Sequence, residues 1–376
     1  MKRNDNLRIH VINVGHGDSI LVEFPDYTTG QQRKPRFGLV DGGGLDSEVK
    51  NKTLDYVNKF VRCRLEDDPS HAPSAEDFIF EFICLTHPHK DHLYGILPLL
   101  NAYCAQEIPV NHRPREFWDC GFRYNTVGYL GLLQYLRDHR EVQFIRVTSG
   151  TEFHYDDVEV LVLAPSVDLR NRYDTYGVDL NDASIVLRLS RGNGVAVLTG
   201  DAHFDSWGKV CEEFPRKKHL TYPPVRIRDE ETPDVRDPNH PAIVFLSKEN
   251  QLNCQFLKIA HHGSKRGTSY EYIEKLSPSS FAITCDKDEW YESHQRSWVG
   301  KFPHPITRLI IGEQTDQFEV DDPRIPDIES LGDKIGTSNM NGTMIFTIKG
   351  NGNVVRKNLN DERNEMVDEA RLGQAL

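Results

Sequence analysis

The chain has 376 residues, 38% hydrophobic and 27% charged, the make-up of a globular protein large enough for one big core or two smaller ones. No stretch approaches the ~18 consecutive apolar residues that a membrane span needs, and the basic start MKRNDNLRIH has no apolar run behind it, so a cytoplasmic protein with no membrane contact is expected. Net charge is −12, from 45 basic and 57 acidic residues, which disfavours a broad grip on duplex DNA, where phosphate neutralisation supplies most of the affinity. A nucleotide or strand end held mainly by metal ions stays open.

In chain order, LRIHVINV (7–14) and DSILVEF (18–24) read as strands around the turn Gly15-His16-Gly17. RFGLVDGGG (36–44) is a strand ending in glycines, and a helix is expected near 47–63. FIFEFICLT (78–86) is an almost unbroken apolar run, as a central strand buried on both faces would be. LYGILPLLNAY (93–103) has helical spacing if Pro98 falls in the first turn, and TVGYLGLLQYLRDHR (126–140) is a second amphipathic helix. QFIRV (143–147) and VEVLVLAP (158–165) are strands, and SIVLRLS (184–190) with VAVLTGDA (195–202) forms a hairpin. Residues 214–241, rich in proline and charge, read as a surface loop within an insertion at 203–253 that offers a docking surface for a protein partner. The core resumes with CQFLKIAHHGS (254–264), SFAITC (280–285) and RLIIG (308–312). A hairpin, TMIFTIKGNGNVV (343–355), closes the domain at 355, leaving a polar tail at 356–376. Alternating strands and helices give an α/β layered class in a single domain. The seven cysteines are odd in number, with no Cys-x-x-Cys pair, and read as free thiols.

The strongest chemical signal is THPHKDH (86–92). It follows a buried strand, at the edge where open α/β sheets place their sites. Pro88 keeps the chain extended, so His87 and His89 point the same way, while Asp91 and His92 follow as a helix begins. Imidazoles and carboxylates at this density suit zinc, manganese or iron rather than calcium.

This cluster resembles the His-x-His-x-Asp-His signature of the metallo-β-lactamase superfamily, and further landmarks follow in that family's order. VINVGHGDSILV, LVDGG, LTHPHKDH, NDASIVLRL, VLTGDA and LKIAHHGS together are similar to the hydrolase domain of its ComEC-type branch, over roughly residues 7–350. The branch joins that domain to a membrane channel; with no apolar span in the sequence, a free-standing relative is expected here. The resemblance implies an αββα sandwich of two mixed sheets flanked by helices. It implies two divalent ions, zinc or manganese, held by His87, His89, Asp91, His92, Asp201 and His262, with Asp201 bridging both. Asp41 is expected to orient the site, and Asp18, on an early loop with His16, to line it. Where most of the superfamily has a further histidine, this chain has Asn181-Asp182. Either residue supplies an oxygen ligand, with Asp182 favoured, or the first half of the centre is incompletely filled. Of the pair before Gly263, His262 is favoured as the ligand over His261.

Two cations about 3.5–4 Å apart can share a hydroxide and stabilise oxyanion charge on the attacked group. Asp91 would ligate and orient that nucleophile, and His261 would contact a phosphate oxygen or protonate the leaving group. The expected activity is phosphodiester hydrolysis on nucleic acid or a nucleotide. The alternatives are hydrolysis of a thioester or lactam, or a nuclease effector subunit in a larger, defence-type assembly.

Overall fold

The apolar runs assemble into two sheets packed face to face. The computed structural model of the chain describes residues 4–29, 32–44, 51–65, 79–108, 113–176, 178–214, 252–285, 304–314 and 335–359. The strands are β1 (Leu7–Val11), β2 (Ile20–Glu23), β3 (Tyr27–Thr29), β4 (Gln32–Lys34), β5 (Arg36–Val40), β6 (Ile79–Leu85), β7 (Glu116–Asp119), β8 (Gln143–Arg146), β9 (Glu152–Tyr155), β10 (Val158–Ala164), β11 (Val186–Arg191), β12 (Gly194–Leu198), β13 (Phe256–Lys258), β14 (Ser280–Ile283), β15 (Ile335–Thr337), β16 (Thr343–Ile348) and β17 (Val354–Leu359). The first sheet has the order β17-β16-β1-β2-β5-β6-β7-β8 and the second β15-β14-β13-β12-β11-β10-β9. Both are mixed. The runs β5 to β8 and β12 to β15 pair parallel, and the remaining neighbours in each sheet pair antiparallel.

The helices are α1 (Lys52–Leu65), α2 (Lys90–Leu93), α3 (Ile96–Tyr103), α4 (Val127–Asp138), α5 (Val167–Tyr176), α6 (Phe204–Glu213), α7 (Tyr270–Leu276), α8 (Pro305–Gln314) and α9 (Ser338–Asn341). Strand β6 explains the layering. Phe82 and Cys84 face a core between the sheets, shared with Trp118, Leu187, Phe256 and Phe346. Ile83 and Leu85 face the opposite way, onto Phe60 of α1, Leu99 of α3 and Leu132 of α4. The second sheet repeats the arrangement, with Leu257 and Ile283 against Trp207 of α6, Ile273 of α7 and Ile311 of α8. Helices thus cover both outer faces, which is the metallo-β-lactamase-like αββα sandwich. Phe82 stacks on Trp118 at 4.0 Å between ring centroids, so truncating it to alanine is expected to cost about 3–5 kcal/mol.

Two details differ from the sequence reading. Strand β17 runs four residues past the boundary at 355, because Leu359 pairs with Thr343 and is buried against the helices of the first sheet. The insertion opens as an ordinary core helix, α6, with Trp207 and Val210 buried; its remainder, 215–251, lies outside the described residues. RLIIG lies on helix α8, which buries Ile310 and Ile311 while Ile306 and Leu309 are exposed. The last hairpin returns to the start of the chain, with β16 pairing with β1 from Leu7↔Ile348 to Val11↔Met344.

Candidate metal centre

The parallel strands of both sheets end at one place. Beyond β6 stands the histidine cluster, beyond β12 Asp201, beyond β13 the pair His261-His262, and beyond β14 Thr284. After β5 comes Asp41, whose φ of 60° is uncommon for a residue with a side chain. Glycines follow because the backbones touch: a Cβ on Gly43 would lie 1.9 Å from the Asp91 carbonyl oxygen. His261 and His262 also have positive φ, 49° and 52°. Strain held at three neighbouring functional positions is what a site over-determined by its surroundings displays.

The second half of the centre is built tightly. Asp91, His92, Asp201 and His262 offer ligand atoms that all lie within 4.8 Å of one another. His92 Nδ1 stands 2.7 Å from Asp41 Oδ2, and His262 Nδ1 stands 2.7 Å from the Thr284 carbonyl. Both partners are acceptors, so each Nδ1 donates and each Nε2 faces the centre. There, His262 Nε2 lies 3.3 Å from Asp91 Oδ2 and 3.7 Å from Asp201 Oδ1, and His92 Nε2 lies 3.3 Å from Asp201 Oδ2. Asp41 also accepts from the backbone and hydroxyl of Thr86, both at 2.7 Å, and so fixes the start of the cluster as well as its last histidine.

Asp201 Oδ1 and His92 Nε2 are buried yet make no hydrogen bond of acceptable geometry. A buried polar atom without a partner costs about 1–3 kcal/mol, and two of them converging in one cluster of carboxylates and imidazoles fit a cation. The electrostatics agree. Burial works to raise the Asp201 carboxyl, but His92, His262 and His261 pull it well below the usual carboxylate range. Burial disfavours charge on His92, yet Asp201, Asp41 and Asp91 hold it well above the ordinary imidazole value.

The first half is sparser. His87 Nε2 faces His89 Nδ1 at 2.9 Å and Asp201 Oδ2 at 3.8 Å, while its Nδ1 turns to the hydroxyls of Thr86 and Ser184 at 3.2 and 3.3 Å. Burial pushes His87 well below the ordinary imidazole value. Asp182, expected as an oxygen ligand, is engaged elsewhere in this structure. Its Oδ1 accepts the Ser206 N–H at 2.9 Å, near the start of α6, and the charges around it are His203, Asp205 and Asp179. Sequence adjacency hid this, because the 3₁₀ turn at Leu180–Ala183 points successive side chains apart. Asn181 instead keeps a buried Oδ1 with no hydrogen-bond partner among the described residues.

The sequence singles out His261, His16 and Asp18, but not His203 or Asp179. His203 Nε2 meets His261 Nδ1 at 2.5 Å, and its other nitrogen lies 3.5 Å from Asp179. His261 Nε2 in turn lies 3.8 Å from Asp201 Oδ2, with its side chain 23% exposed at the mouth of the centre; burial lowers its pKa to about 4. His16 lies 3.8 Å from Asp91 Oδ2, with its ring 4.4 Å from that of His262. Asp18 is buried and pairs with Lys258 and Thr284. His294, a further histidine of the chain, lies outside the described residues.

Fold and site together give an αββα sandwich of two mixed sheets with a candidate metal centre at the ends of its parallel strands. The resemblance to the ComEC-type branch has its counterpart in a curated relative: the chain is 22% identical over 297 residues to ComE operon protein 3 of Bacillus subtilis (strain 168). That match covers 77% of this chain but 30% of the relative's length. Among solved structures, the chain is similar to a metallo-beta-lactamase fold protein from Bacillus subtilis, at 13% identity and TM-score 0.35, over 74% of this chain and 85% of that one. It is also similar to a metal-dependent hydrolase of the beta-lactamase superfamily, at 16% identity and TM-score 0.37, over 74% of this chain and 87% of that one. No family model matches. Among the described residues, no helix is long and apolar enough to cross a membrane.

Proposed function

We propose that the chain is a metal-dependent hydrolase of phosphodiesters, acting on a nucleotide or the end of a nucleic-acid strand. The observation that carries it is the convergence of Asp91, His92, Asp201 and His262 from three separate segments, with both Nε2 atoms turned inward by acceptors behind them. Divalent ions held there, zinc or manganese, would acidify water and stabilise charge developing on the attacked phosphoryl group. The chain's own residues do the rest. Asp91, half-buried at the mouth, orients the nucleophile. His261 is positioned by His203 and Asp179 to meet a phosphate oxygen or the leaving group. A cavity of about 730 Å³ opens beside His203, lined by Arg172, Lys209 and Arg266 together with Asp179 and Asp182. Guanidinium groups suit phosphate oxygens, and the size suits a small ligand rather than a long duplex. This fits the acidic chain, which has no general need to hold DNA over a broad face.

The test is a panel of bis-p-nitrophenyl phosphate, a lactam and a thioester, each with manganese or zinc, and with His89→Ala as control. Turnover of the phosphodiester alone, lost in the variant, is expected. Turnover of the lactam or thioester in its place overturns the proposal.

A further inference from the structure

Lys258 is among the largest side chains with no solvent exposure, and nothing in the hydrolytic reading uses it. Its ammonium donates to the Asp18 carboxylate and lies 3.3 Å from the carbonyl oxygen of Gly200, the residue before Asp201. It therefore ties a loop of the first sheet to a loop of the second, directly behind the metal centre. Asp18 is the meeting point of that tie. It accepts from the Thr284 hydroxyl, which itself stands 3.0 Å from His262 Nδ1. Its carboxylate lies 3.6 Å from His262 Nδ1 and 4.0 Å from His92 Nδ1. With Asp41 and His92, Asp18 forms a second set of ligand atoms within 4.8 Å of one another, sharing His92 with the first. Four buried or half-buried carboxylates thus surround two imidazoles, and the lysine is the fixed cation among them.

We infer that Lys258 is a resident charge of the metal centre, whose ammonium cancels Asp18 and thereby sets how tightly the centre takes divalent ions. Packing alone does not call for a lysine here, since a buried ion pair is commonly replaced by apolar residues without loss of stability. Nor does Asp18 need Lys258 to stay in place. Thr284 holds its side chain, while its own N–H donates to the Asp91 carbonyl at 3.1 Å and its carbonyl accepts from Gly43 at 2.7 Å. What only the lysine contributes is charge in a region of low dielectric, where its effect on a nearby cation is large.

The inference rests on the metal centre and not on the substrate, so its test reads metal directly. Manganese is titrated at pH 8 into the metal-free full chain by calorimetry, with thermal melting as the check on folding. Lys258→Met, which uncovers the Asp18 charge, is expected to bind manganese about tenfold tighter or more. Asp18→Asn, which uncovers the lysine, is expected to bind about tenfold weaker or more, the scale on which partners behind a metal ligand act. The double variant is expected to return to within about threefold of the native chain. Opposite shifts in the two single variants are what a packing role cannot produce. If both weaken binding, or neither moves it, the inference is overturned. If Lys258→Met fails to fold, the double variant decides: recovery of the affinity lost in Asp18→Asn supports the inference, and no recovery sinks it. A native chain that takes up no divalent ion removes the metal centre itself, an outcome distinct from these, and the inference falls with it.

Discussion

Two of the buried charged clusters among the described residues are built on opposite principles. Beneath α1, Glu23 is fully buried and met on every side: by Arg8 at 2.9 Å, by Arg64 at 2.5 Å and by His10 at 3.3 Å, while Arg64 also reaches Asp26 and His10 reaches Tyr56. Donors and acceptors alternate there. At the candidate metal centre the carboxylates and imidazoles instead aim at a common point and leave Asp201 Oδ1 and His92 Nε2 without a well-formed hydrogen bond among the described residues. A closed network contributes to folding whatever the solvent holds, whereas an open one is completed only by something added. Buried charge alone does not mark a candidate site; unsatisfied atoms that converge among carboxylates and imidazoles do.

The contrast breaks hardest at Asp201. Asp201→Asn is expected to lower phosphodiester turnover by on the order of 10³ and to remove most bound metal, while lowering the melting temperature of the metal-free chain less than Glu23→Gln does. Metal analysis beside a melting curve checks both halves. Glu23→Gln should do the reverse. It leaves Arg8 and Arg64 short of their shared counter-charge, with an expected cost of about 3 kcal/mol in denaturant unfolding, and metal content unchanged. If Glu23→Gln lost metal and Asp201→Asn lost more stability, the two clusters would not be separable in this way.

Acid sharpens the same contrast. Burial works to raise the Glu23 carboxyl, but Arg8 and Arg64 hold it well below the usual range. A carboxyl depressed in the folded state stabilises above its unfolded pKa, about 4.3, and that stability is lost as pH falls through the folded value. The melting temperature of the native chain should therefore fall more steeply below pH 4 than that of Glu23→Gln. A parallel decline in both proteins would remove Glu23 as a cause. A smaller effect is expected one step behind the metal ligands. Asp41→Asn keeps the shape but weakens the acceptor that turns His92, so manganese affinity should drop about 10–100-fold. An unchanged affinity would mean that the His92 ring is held by packing alone.

How far the sequence announced all this depends on distance along the chain. His87, His89, Asp91 and His92 lie within six residues behind a strand whose burial is evident from composition, so local chemistry and context coincide. The layers were legible for the same reason, because β6 and β10 are apolar on both faces. The pairing of β1 with β16 was not, since no local pattern records a partner more than three hundred residues away. Lys258 and Thr284 look like ordinary strand residues until β13 and β14 stack behind Asp18. His203 becomes meaningful only when the positive-φ turn at His261 brings the two rings together.

Asp182 is where sequence adjacency and geometry part most sharply. As an oxygen ligand it would be indispensable to the first half of the centre, and Asp182→Asn would strip metal. In the structure it braces the start of α6, and burial raises its pKa to about 6. A carboxyl raised in the folded state contributes stability below its unfolded pKa and loses it as pH rises through the folded value. Ionised Asp182 is therefore a cost near neutrality. An asparagine mimics the protonated form, so Asp182→Asn should melt close to the native chain near pH 4 and gain on it by about 2 kcal/mol by pH 7, with metal content unchanged at both. Asn181, whose side-chain oxygen is buried with no hydrogen-bond partner among the described residues, then becomes the residue to test for the first half: Asn181→Ala should weaken uptake of the second equivalent of metal and leave the first in place. Should Asp182→Asn lose metal instead, the brace on α6 is secondary, and the carboxylate turns toward His87 and His89 once a cation is bound.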